Sequence, residues 1–218
     1  MMLQHVNDET FPYLLYAHPD AEKESLPLVI FLHGAGERGI RDAELSRMTV
    51  HSLPALLEQT DPAAPGAPRC VAVCPMCPHG QYWACRVESV LAFIRRMVEK
   101  YHADPDRVSL TGVSMGGYGT WFTAIAAPEL FSCIAPVCGG GMSWAAGVLK
   151  MPVRAFHGDV DITVPVSESI DMVNALKAHG NKDAELTVYH DVGHNCWIQA
   201  YTPALLEWML AQKRPARR

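Results

Sequence analysis

At 218 residues, 49% hydrophobic and 19% charged, the chain holds enough apolar material for one α/β domain over residues 1–218 and predicts no second. A net charge of -5 at pH 7 argues against general affinity for nucleic acid or anionic membranes. No apolar run is long enough to span a bilayer, and the N-terminus lacks the basic and apolar regions of a signal peptide, so a cytoplasmic protein is expected.

In chain order, residues 11–18 read as a strand near a sheet edge, because Pro12 and Pro19 bracket the apolar run. Residues 26–32 are continuously apolar and end on His33-Gly34-Ala35-Gly36, the pattern of a strand buried on both faces that feeds a glycine-rich loop. Residues 41–59 predict one or two short helical turns broken at Pro54, and a Pro/Ala/Gly loop follows over 61–68. Residues 70–74 form the next buried strand, stopped by Pro75 and Pro78. Over 87–101, Val87, Val90, Leu91, Ile94, Met97 and Val98 recur at helical spacing, opposite Glu88, Arg95, Arg96, Glu99 and Lys100. Residues 107–111 are a strand that runs into Thr111-Gly112-Val113-Ser114-Met115-Gly116-Gly117, and a helix rich in small residues follows over 118–127. The rest repeats the alternation. A strand over 131–137 leads to Gly139-Gly140-Gly141, and a second strand over 153–156 ends at His157-Gly158. Next come a helix over 165–179 with Val166, Ile170, Val173 and Leu176 on one side and Gly180 as its stop, a strand toward an edge over 185–189, and a closing helix over 203–212. The basic end, Lys213-Arg214-Pro215-Ala216-Arg217-Arg218, reads as a solvated tail. Alternating strands and helices predict a mostly parallel central sheet with helices on both faces.

A serine flanked by small residues between a strand and a helix sits at the tip of a sharp turn, where its hydroxyl is exposed for attack. The hydroxyl needs a base, and the base needs a third group to hold its tautomer. Both belong in loops after the carboxyl ends of later strands. Two segments qualify: His157-Gly158-Asp159-Val160-Asp161-Ile162-Thr163-Val164-Pro165 and His190-Asp191-Val192-Gly193-His194-Asn195-Cys196-Trp197. Ser114, Asp161 and His194 stand in the chain order of one known type of serine hydrolase. Of the two histidines, His190 lies at the strand end, whereas His194 follows Gly193 in a loop able to bring the imidazole to Ser114. His33 and His157 read as residues that shape their own loops. The amide of Met115, at the helix start, is placed to donate to an oxyanion.

Four motifs occur in order over residues 27–197: Leu32-His33-Gly34-Ala35-Gly36-Glu37-Arg38-Gly39, Gly112-Val113-Ser114-Met115-Gly116-Gly117, His157-Gly158-Asp159-Val160-Asp161 with Val164-Pro165, and Gly193-His194. Through them the chain resembles the α/β-hydrolase superfamily, and within it the compact carboxylesterase, phospholipase and predicted-peptidase group. The resemblance implies an α/β-hydrolase fold with Ser114 as nucleophile, Asp161 as orienting acid, chosen over Asp159 and Asp191 by the His-Gly-x-x-Asp spacing, and His194 as general base. It also implies Ala35 as second oxyanion donor, with Gly36 as runner-up. Glu37 and Arg38 are read as pairing with each other and holding that loop, and the sequence offers no argument for a catalytic role.

The seven cysteines, an odd number in apolar contexts, fit reduced buried thiols. Cys74-Pro75-Met76-Cys77 is half of a structural zinc pattern without a second pair; no metal and no cofactor is expected. It resembles instead the group's Pro-x-Cys-Pro segment, which leads to Trp83. Trp83 and Trp197 are preferred over Tyr118 and Trp144 as substrate-binding walls, because their loops neighbour the proposed site. Between 137 and 153 there is room for a loop but not for a large cap domain, which predicts an open pocket and a small-molecule ester substrate. A peptidase, amidase or thioesterase of the same fold is the alternative, although the lack of a propeller-like domain weighs against a prolyl-oligopeptidase type. A noncatalytic binding module would be expected to have lost one of the three residues.

Overall fold

The computed structural model describes residues 2–215. Its eight strands are β1 (Gln4–Val6), β2 (Tyr13–Ala17), β3 (Leu28–Leu32), β4 (Val71–Pro75), β5 (Val108–Val113), β6 (Cys133–Val137), β7 (Val153–Gly158) and β8 (Ala184–Tyr189), and they form one sheet in the order β1-β2-β4-β3-β5-β6-β7-β8. β1 with β2 and β2 with β4 pair antiparallel; every other neighbour is parallel. The helices are α1 (Ser52–Glu58), α2 (Val87–Lys100), α3 (Met115–Ala126), α4 (Ser167–Ala178), α5 (Trp197–Ala200) and α6 (Pro203–Ala211).

Strand side chains alternate between faces, so one apolar strand feeds two cores. In β3, Leu28, Ile30 and Leu32 pack with Val90, Ile94 and Met97 of α2, Trp121 of α3, and Met172 and Leu176 of α4. Val29 and Phe31 pack on the other side with Leu53 and Leu57 of α1 and with Leu205, Leu206 and Met209 of α6. The arrangement is that of an α/β-hydrolase without a large cap: between β6 and β7 the regular structure is a single 3-10 turn, Ser143–Val148.

Several expectations shift. The strand read as lying near an edge is second from it, and the edge itself is the short, largely polar β1, which the sequence reading does not include. Pro54 does not break a helix; it occupies the first turn of α1, where the amide it lacks has no intrahelical partner to lose. Ile170 is 37% exposed, and the buried face of α4 is Ser169, Met172, Val173 and Leu176. The basic end is tied down in its described part: Arg214 pairs with Asp106 at 2.7 Å, donates to the carbonyl of Pro105 at 2.8 Å and bonds the carbonyl of Glu129, while Lys213 lies 3.6 Å from Asp104. Ala216, Arg217 and Arg218 lie outside the described residues.

Candidate active site

β5 ends at Val113, α3 begins at Met115, and Ser114 between them holds φ 53°, ψ -116°. That left-handed conformation is costly for a residue with a Cβ and recurs where a side chain must stand clear of a turn. The turn fits only because Gly116 has no side chain: a Cβ there would lie 1.8 Å from the carbonyl oxygen of Leu32 at the end of β3. The same close approach brings the loop after β3 beside Ser114, whose Cβ lies 3.8 Å from where a Cβ on Gly34 would stand.

The loops after β7 and β8 meet in a comparable way. A Cβ on Gly158 would come within 2.1 Å of the carbonyl oxygen of Val192, so a bare backbone at this position lets the chain segments bearing Asp161 and His194 converge. The Asp161 carboxylate, with no exposed side-chain surface, accepts from His194 Nδ1 through Oδ2 at 2.7 Å, and through Oδ1 from the amides of Thr163 at 2.8 Å and Val164 at 2.9 Å. Burial pushes this carboxyl up, but these hydrogen bonds together outweigh it, and the group is held below its ordinary range. An ionised Asp161 fixes the proton of His194 on Nδ1. The free lone pair of Nε2 then faces Ser114 Oγ at 2.8 Å. Such a chain can draw the proton off a serine hydroxyl as the oxygen attacks.

His190 pairs with Asp159 at 2.7 Å, but this couple is separate: His190 is 84% exposed, and the chain Ser114–His194–Asp161 does not include it. Asp191 is 81% exposed and lies beside His190. His157 is fully buried, its Nδ1 on Ser169 Oγ at 2.7 Å, its Nε2 donating to the carbonyl of Val164 at 2.9 Å and standing 3.3 Å from Asp161. It thus braces the loop that carries Asp161.

Met115 is buried at the start of α3, and Ala35 and Gly36 are exposed in the loop after β3. Trp197 lies edge-on to His194, ring centroids 5.5 Å apart, and faces His51 at 5.1 Å. Beyond it opens a cavity of about 300 Å³ lined by His51, Ser52, Leu56, Trp197, Ile198 and Tyr201 among others. Trp83 is a correction. It is fully buried, donates Nε1–H to the carbonyl of His33 at 3.0 Å and packs on the His33 ring, so it supports the loop from behind and cannot wall an open pocket. Tyr118 is half-buried one turn into α3, and Trp144 is 80% exposed.

Glu37 and Arg38 do not pair with each other. Glu37 bonds His51 Nε2 at 3.2 Å; burial pushes its carboxyl up, but the bond and the charge of His51, with His33 nearby, bring it below its ordinary value. His51 lies in no motif, and its place against Glu37 and Trp197 depends on the fold. Cys74 and Cys77 are free and buried. Among the described residues, no group of three or more His, Cys, Asp or Glu is placed to hold a metal ion, and no helix is long and apolar enough to cross a membrane.

Comparisons with known proteins agree with this architecture. A thermostable esterase of known structure superposes with a TM-score of 0.79 at 28% identity, over 97% of this chain and 63% of that one. The acylaminoacyl peptidase of Pyrococcus horikoshii gives 0.69 at 13% identity, over 99% of this chain and 42% of that one. The feruloyl esterase module from Clostridium thermocellum, solved with sinapinate, gives 0.73 at 13% identity, over 99% and 89%. The last two show likeness of fold alone. The chain thus spans less than two thirds of the esterase's length and less than half of the peptidase's. No curated protein matches the sequence. The family model described as "Prolyl oligopeptidase family" matches residues 80–146 and 145–211. With more than half of its length matched, this α/β-hydrolase belongs to the prolyl oligopeptidase family.

Proposed function

We propose that this member of the serine hydrolases cleaves small carboxylic esters through an acyl-enzyme, with residues 1–218 working as one unit. The observation that carries the reading is the unbroken chain from Ser114 Oγ to His194 Nε2 at 2.8 Å and from His194 Nδ1 to Asp161 Oδ2 at 2.7 Å. Ser114 Oγ attacks the carbonyl carbon as His194 takes its proton. The tetrahedral oxyanion is met by the amides of Met115 and of Ala35 or Gly36. Collapse expels the alcohol, protonated by His194, and leaves an acyl-Ser114 ester. Water then repeats the sequence and releases the acid. Preorganised donors of this kind are worth about 3 to 4 kcal/mol each.

The ester preference is supported by the likeness to a thermostable esterase and by the absence of a large cap over Ser114. A second reading, amide or peptide cleavage by the same groups, is favoured by the family match. Turnover of p-nitrophenyl acetate and labelling by a fluorophosphonate should both vanish in Ser114→Ala; labelling that persists would remove Ser114 as nucleophile. Ranking short esters, thioesters and aminoacyl amides by kcat/KM decides between the readings, and amides ranked first would overturn the ester assignment.

A further inference from the structure

Three consecutive carbonyls in the loop after β3 are each held by a side-chain donor. Trp83 Nε1–H donates to the carbonyl of His33 at 3.0 Å, His33 Nδ1–H to that of Gly34 at 2.6 Å, and Arg38 Nε–H to that of Ala35 at 2.9 Å. The tautomer of His33 follows from its other nitrogen: Nε2 accepts the amide of Cys77 at 2.8 Å, so the ring proton is on Nδ1. Burial lowers the pKa of this ring to about 4 and keeps it neutral. A peptide unit is planar and trans, so holding its C=O also sets the N–H that points the opposite way. The bonds to Gly34 and Ala35 therefore set the directions of the Ala35 and Gly36 N–H groups. Neither amide has an acceptor among the described residues.

We propose that Arg38 is a positioning residue for the oxyanion. Its guanidinium fixes the Ala35–Gly36 peptide, His33 fixes the one before it, and the two planes flanking Ala35 present their N–H groups beside Ser114. This rests on the reading of Ser114 as nucleophile. Arg38 is itself anchored by Nη1 on the carbonyl of Gln81 at 3.4 Å and by the Tyr82 ring, 5.2 Å from its guanidinium carbon. Among the described residues no carboxylate forms an ion pair with it, so the Nε–H is not diverted from Ala35. A lysine has no N–H at the ε position of the fork and cannot reproduce the bond.

The test compares wild type with Arg38→Met, Arg38→Lys and Ser114→Ala. It measures kcat and KM on p-nitrophenyl acetate, the thermal midpoint, and the affinity for a trifluoromethyl ketone, which forms a tetrahedral oxyanion adduct with a serine nucleophile. Loss of one aligned donor predicts a fall in kcat of about 10- to 100-fold in both Arg38 variants, with KM within about twofold. Affinity for the ketone should fall by the same factor and the thermal midpoint should stay within about 2 °C. Unchanged kcat and ketone affinity, a change in KM alone, or a loss accounted for by unfolding would each overturn the proposal. Ser114→Ala separates the two readings. If it is inactive while Arg38→Met is unimpaired, only the positioning role fails; if it stays active, the nucleophile fails and the positioning role falls with it.

Discussion

Ser114 and Asp161 each occupy a costly position, one in left-handed backbone and the other as a carboxylate without exposed surface, and each is compensated by backbone hydrogen bonds. Ser114 is held by its amide on the carbonyl of Val137 at 2.9 Å, and Asp161 by the amides of Thr163 and Val164. Because the carboxyl of Asp161 is held low, its stabilising contribution is present above the ordinary carboxylate pKa and is lost as pH falls through the folded value. Asp161→Asn removes the charge and allows the wrong tautomer of His194, so kcat should fall about 10³- to 10⁴-fold. Asp159→Asn should stay within about twofold, since Asp159 bonds the exposed His190; the reverse ranking in steady-state assays would move the acid to Asp159. Gly158→Ala tests convergence rather than charge. Its Cβ would strike the carbonyl of Val192 and push the loop bearing His194 away, and a displacement of about 1 Å costs on the order of 10²-fold in kcat. A variant with wild-type kcat would show that the loop yields without moving His194.

At the scale of elements, the loop after β3 carries a built-in acid sensitivity. His33 is fully buried, and its pKa is lowered from 6.5 to about 4. With the folded value below the unfolded one, stability is complete above about pH 6.5 and declines as pH falls toward 4. Protonation also places a proton on Nε2, the atom that accepts from Cys77. Urea unfolding at pH 4.5 should show a loss from this group of about 2 to 3 kcal/mol relative to pH 7, and His33→Gln should flatten that limb; an unaltered limb would place the acid sensitivity elsewhere. The elements themselves were largely legible in the sequence, because buried parallel strands are uniformly apolar and α2 keeps a strict helical period. β1 was not legible: three residues, Gln4-His5-Val6, give no alternation to detect. The inward face of α4 is not legible from apolar spacing because the polar Ser169 takes an inward position, bonded to His157 Nδ1 at 2.7 Å and to the carbonyl of Gly139 at 2.9 Å, and Ile170 beside it turns outward. Ser114, Asp161 and His194 lie in contiguous motifs and could be singled out from residue order. The bonds from Trp83 and Cys77 to the 33–34 segment cross 50 and 44 positions, and no spacing rule anticipates them.

At the scale of the molecule, every loop that bears a proposed site residue leaves the carboxyl end of a parallel strand, β3, β5, β7 or β8, where open α/β sheets gather their ligands. The interior behind those loops also holds most of the chain's sulfur. Of the seven cysteines, all free, six are buried and Cys85 is exposed. Burial raises the thiol pKa of Cys77 to about 11 and those of Cys70 and Cys133 to about 12, and pushes Cys74 and Cys138 higher still. The thiolate is the reactive species, so these groups are shielded both by lack of access and by protonation. Iodoacetamide should therefore modify one thiol rapidly in the folded protein, mapped to Cys85 by mass spectrometry, and all seven after denaturation. Cys85→Ser should remove the fast event and leave turnover of p-nitrophenyl acetate unchanged. Rapid modification of Cys74 or Cys77 in the folded state, or a disulfide between them after mild oxidation, would instead show that the segment after β4 opens and exposes the C-x-x-C pair.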